Sequence, residues 1–143
     1  MSGARTARAR KLLAVETSRV AARERELAEA RRMLEEQEAA SVRAQAESYA
    51  ADGRWLECES ADDLAQASAH RRALEARAVR AKAAASLAAA LVSAKQGAAV
   101  EARIAERRFE ILIEGFLRAD AACEQKVERR SSDEHAARRR QAT

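Results

Sequence analysis

The sequence predicts an all-α fold, an antiparallel two-helix coiled-coil hairpin with a longer C-terminal helix, and three observations carry that expectation. The composition is one of them: charged residues make up 35%, aromatics 3% and proline is absent, with apolar content built largely on alanine. Such chains favour long helices and lack the bulk for an ordinary globular core. Heptad spacing of the apolar residues is another. The last is a single place where the helical pattern lapses.

Helix one is expected over about residues 4–50. Leu13, Val20, Leu27 and Leu34 recur at intervals of seven, but Thr17, Glu24, Arg31 and Glu38 occupy the alternate heptad positions. The result is a thin seam with one large apolar side chain per heptad, helped by Ala14, Ala21, Ala28 and Ala30. The lapse follows, in a loop at about 51–61 that contains the only Asp-Gly pair, Asp52-Gly53, and ends at a helix N-cap on Ser60 or Asp62. Helix two is expected over about 61–139. Its first row reads Leu74, Ala81, Ala88, Lys95, Ala102, Phe109, Phe116, Cys123; its second reads Ala78, Ala85, Val92, Ala99, Glu106, Ile113, Asp120, Val127. Gly97 and Gly115 stand inside this pattern, each costing about 1 kcal/mol against alanine without ending the helix.

The formal charge of +4 is unevenly spread. Residues 1–11 carry four bases and no acid, residues 34–66 carry nine acids against two bases, and residues 126–143 carry six bases against three acids. A chain folded back at 51–61 would bring its two basic ends together. No unbroken run of eighteen apolar residues occurs, and even the alanine-rich stretch Ala83–Val92 is only ten long, so no membrane span is expected. The basic N-terminus has no apolar core of a secretory signal, and a cytoplasmic location is expected.

Both phenylalanines fall in RRFEILIEGF, residues 107–116. At 100° per residue Phe109, Leu112, Ile113, Phe116 and Leu117 share one stripe, while Ile111 lies opposite in line with Ile104 and Val100. At 1.5 Å per residue the first arm is about 70 Å long and the second about 118 Å. If the arms start level at the loop, cover ends near residue 108 and RRFEILIEGF begins where the second helix continues alone. The stripe is then a partner-binding face, with Arg107, Arg108 and Arg118 steering it toward an acidic surface. The other reading makes these residues plain core of an offset hairpin or a dimer.

No catalytic constellation is visible. His70 and His135 are isolated, Cys58 and Cys123 have no ligand spacing, and no phosphate-binding glycine loop occurs. The expectation is a protein that is not an enzyme and needs no metal or cofactor. Basic ends such as RTARARK and ARRRQ could hold phosphates, but aromatics for base stacking are nearly absent.

A basic N-terminus on a charged helix, a mid-chain loop with Arg54-Trp55 and a long second helix ending VERRSSDEHAARRR resemble FliJ, the soluble stalk component of flagellar type III export. Injectisome stalk proteins of the YscO type share this layout. Glu128, Asp133, Glu134 and Ala136 keep the family's C-terminal spacing; His135 stands where an aliphatic or aromatic residue is usual, and Arg129-Arg130-Ser131-Ser132 replaces a Gln-Lys stretch. The resemblance implies a two-helix coiled coil that inserts into a hexameric export ATPase and stimulates it. It implies links to the export gate protein and export chaperones, and a membrane-peripheral position held through partners. The residues alone leave two alternatives, a self-associating coiled-coil adaptor and a basic nucleic-acid-binding protein.

Overall fold

In a computed structural model, which describes residues 2–142, the chain forms an all-α two-helix hairpin. Helix α1 spans Ser2–Asp52, a 310 segment spans Gly53–Glu57, and α2 spans Ala61–Gln141. The described residues contain no strand.

The break sits where the Asp-Gly pair places it. Gly53 does not take a positive φ, and Asp52 remains helical at φ −62°, ψ −31°. The chain tightens into the 310 segment and turns out at Cys58, which is extended at φ −79°, ψ 123°. Of the two expected caps, Ser60 is the one that forms. Its Oγ accepts from the Asp63 N–H at 3.1 Å, and its carbonyl accepts from the Leu64 N–H at 3.0 Å. Asp62 and Asp63 follow in the first turn, where the helix dipole favours negative charge.

On α2 the two heptad rows lie where expected. Every residue of both rows from Leu74 to Asp120 is buried or half-buried, whereas Cys123 and Val127 are exposed. On α1 the Leu13, Val20, Leu27 and Leu34 row also turns inward. Its companion row is different from the expected one: Thr17, Glu24, Arg31 and Glu38 are exposed, and the inward positions are Ala9, Glu16, Ala30, Gln37, Ala44 and Ala51. The seam therefore continues three residues after each leucine rather than four. The alanines explain the choice, because small side chains let two backbones approach closely, which a row of Glu and Arg would prevent. Of the helper alanines, Ala30 is buried, and Ala14, Ala21 and Ala28 face outward.

Two compact units make up the hairpin, Ala22–Val100 and Met1–Ala21 with Glu101–Thr143. In the first unit Arg71 reaches Asp52 at 3.0 Å, Arg77 reaches Glu47 at 3.2 Å, and Lys95 reaches Glu26 at 3.2 Å. In the second, Thr17 Oγ1 donates to Glu106 at 2.9 Å and the Arg5 guanidinium lies 5.6 Å from the Phe116 ring centre. Pairing begins at Asp52 and Arg71, not at the first residue of α2, because the 310 segment takes up the start of α2: the Arg71 guanidinium lies 5.7 Å from the Trp55 ring centre. That shift of about ten residues carries α1 past residue 108. Gly3, Thr6, Ala7 and Arg10 share a groove with Leu117, Asp120, Ala121 and Glu124.

Averaging also alters the hydropathy reading. An 18-residue window of α2 has mean hydropathy 1.3 with 11% of it buried, long and apolar enough to cross a membrane although no unbroken apolar run exists.

These positions set the expected response to substitution. A Cβ added at Gly97 or Gly115 meets nothing within 4 Å, so each Gly→Ala change should raise unfolding free energy by about 0.5–1 kcal/mol. Ile113, 8% exposed, should cost about 2 kcal/mol or more as Ile113→Ala, whereas Ile111→Ala, at 55% exposed, should stay within about 0.5 kcal/mol in urea titrations followed by circular dichroism.

Candidate interaction surface

The large side chains of RRFEILIEGF divide between two surfaces. Ile113 is buried and Phe109 and Phe116 are half-buried in the seam, so α1 covers the part of the stripe that was expected to lie bare. Leu112 and Leu117 flank it and are exposed, as are Ile104 and Ile111 on the opposite side of α2. Phe116 is covered from the α1 side by Arg5, whose guanidinium supplies a charged lid over the ring face.

Two of the three expected steering arginines are committed to their own helix. Arg107 Nη1 donates to Glu110 at 2.7 Å and approaches Glu114 at 3.9 Å, while Arg118 approaches Glu114 at 3.8 Å. The hydrogen bond to Glu110, with the nearby charges of Glu110 and Glu114, pushes the Arg107 guanidinium pKa up from its ordinary value. Arg108 is exposed. Of the expected partner-binding residues, Leu112, Leu117, Arg107, Arg108 and Arg118 are all exposed, and Arg108 is the one of the three arginines with no ion pair among the described residues.

What α1 leaves bare lies further along. Every described residue from Ala121 to Ala142 is exposed, and Ala121–Gln141 is still continuous α-helix. Here Lys126, Arg129, Arg130, Arg138, Arg139 and Arg140 alternate with Glu124, Glu128, Asp133 and Glu134, and Val127 is the one large aliphatic residue. The last turn carries Arg138, Arg139 and Arg140, where the dipole favours positive charge. Glu128, Asp133, Glu134 and Ala136 all fall on this segment. Sequence reasoning missed its limits because it measured cover from the loop. The seam rows carry no signal of that limit, since polar Lys95 and Glu106 lie inside the covered part and apolar Cys123 and Val127 lie beyond it.

The one cation inside the seam rows of α2 is partnered across it. Lys95 sits among alanines and reaches Glu26, and the hydrogen bond from Lys95, with Arg23 beside it at 3.2 Å, holds the Glu26 carboxyl below its usual range. Cys58 and Cys123 are free thiols, and among the described residues no three His, Cys, Asp or Glu side chains gather as metal ligands.

No family model, no curated protein and no solved structure matches this chain.

Because the folded-state pKa of Glu26 is depressed, its contribution is present above the ordinary carboxylate range and is lost as pH falls through the folded value. Glu26→Gln should therefore show a shallower loss of thermal stability than the parent between neutral pH and acid, read as Tm against pH.

Proposed function

We propose that this protein is a FliJ-like stalk of a type III export apparatus, which binds and stimulates a hexameric export ATPase and links it to the export gate protein and export chaperones. The observation that carries this reading is the bare end of α2. Beyond the groove that Ala121 and Glu124 share with α1, a charged helix continues from Gln125 to Gln141 with every residue exposed, the form needed to enter the central opening of a ring. An antiparallel pair with one longer helix resembles the central shaft of a rotary ATPase, and the family-like residues Glu128, Asp133, Glu134 and Ala136 lie on the uncovered part. Leu112, Leu117 and Arg108 border the pair on α2 and provide the adjoining apolar and cationic contacts. Phe109, Ile113 and Phe116 contribute by holding the two helices together beneath them. In this role the chain is not an enzyme; it acts in the cytoplasm, at the inner face of the cell membrane through its partners.

A second reading, a self-associating adaptor, is supported by the exposed Ile104 and Ile111 on the opposite side of α2. Light scattering separates the two, since an adaptor of this kind gains mass with concentration and a stalk that works singly does not.

The decisive experiment mixes the protein with a hexameric export ATPase and measures turnover. The intact chain is expected to raise it, a chain ending at Asp120 to lose most of the effect, and Leu112→Ala with Leu117→Ala to weaken it. Unchanged turnover with the intact chain would refute the proposal.

A further inference from the structure

The groove beside the turn holds an arrangement that the stalk reading does not use. Between the end of α1 and the start of the paired part of α2 lies a cleft of 370 Å³. Its floor includes Ala51 and Leu74, buried and half-buried respectively. Arg54, His70 and Arg77 line it, with Glu47 the one carboxylate among the lining residues.

The charges in this cleft are not matched. Glu47 is taken up by Arg77, whose Nη1 donates to it at 3.2 Å. Asp52 nearby is taken up by Arg71 at 3.0 Å. The Arg54 guanidinium and the His70 ring have neither an ion pair nor a hydrogen bond among the described residues, although both line the same cleft. Only the backbone carbonyl of Arg54 is engaged, accepting from the Cys58 thiol at 3.6 Å. Two donors on one cleft, one a permanent cation, neither taken up by the cleft's one carboxylate, suit an oxyanion.

We propose that this cleft binds a phosphate group. The Arg54 guanidinium offers several N–H donors, the His70 ring offers one more, and Arg77 keeps N–H groups beyond the one used by Glu47. A carboxylate has two oxygens to share among these three side chains. A phosphate monoester has three terminal oxygens, with a fourth carrying the organic part toward Ala51 and Leu74. The site is independent of the bare end of α2, so it stands or falls apart from any ATPase contact.

The test is titration of the full-length chain with inorganic phosphate, and with glycerol phosphate in a second arm, following the His70 ring resonances by NMR at ionic strength held constant with chloride. Saturable shifts are expected with phosphate and not with chloride. Tighter binding of the monoester would assign the site to organic phosphates, and equal binding to the free anion. Arg54→Gln should weaken binding roughly tenfold or more, the worth of one charge-assisted hydrogen bond, and His70→Gln, followed by calorimetry, should weaken it too. Both positions are exposed, and circular dichroism would verify that each variant folds. Shifts of equal size with chloride, or affinity unchanged in both variants, would overturn the proposal.

Discussion

Close approach along a seam of small residues is the constraint on which the rest of this structure rests. Alanine buries little area, so a seam with Ala30, Ala44 and Ala51 on α1 and Ala78, Ala85 and Ala99 on α2 gains only modestly per contact. Such a seam is also indifferent to register, because one alanine replaces another at the next heptad. Discrimination falls to the polar residues placed within it. Lys95 finds Glu26 and Glu106 finds Thr17 in the observed pairing. A slip of one heptad would set Lys95 against Arg19 or Met33 and leave the lysine without its carboxylate. Exposed ion pairs add little stability singly, but here they choose among alignments that packing leaves nearly equal.

The large side chains of RRFEILIEGF have their place in that scheme. In the unit formed by the N-terminal part of α1 and residues 101–143, α1 turns Thr6, Ala9, Leu13 and Val20 inward. α2 adds the larger Phe109, Ile113 and Phe116 to the same unit. In the other unit α1 turns Leu27 and Leu34 inward and α2 presents chiefly alanines. There, large on one side and small on the other keeps the space between the helices filled.

Much of this was legible in the residues. The two rows of α2 could be read from Leu74 to Asp120 because large and small apolar residues recur at alternating intervals of four and three, with few competitors. The companion row of α1 was misread because polar residues occupy both candidate positions around Leu13 and Leu34, and only the alanines at 9, 30, 44 and 51 distinguish them. The stagger was not legible at all. It depends on how many residues of α2 pass before pairing begins, and that number is set by the 310 segment and the Trp55–Arg71 contact, neither of which has a periodic signature. The free surface was displaced for the same reason, from Arg107–Phe116 to Ala121–Gln141. The cleft at Arg54 and His70 escaped notice because it joins residues on either side of the turn, whose facing depends on that stagger.

The order of the cross-helix pairs also bears on how the hairpin assembles. Glu47 and Arg77 are separated by 30 residues, Glu26 and Lys95 by 69, and Thr17 and Glu106 by 89. Closing a loop costs more entropy as it lengthens, so the pair nearest the turn is the cheapest to form from an open chain. Once it exists, each further pair closes only the short distance left by the one before. The chain thus has a kinetic polarity: zipping starts at the capped turn, and the basic N-terminus of α1 docks last. Register errors must be corrected early, while few contacts have formed, and the ion pairs at Asp52 and Glu47 stand where that correction is least costly.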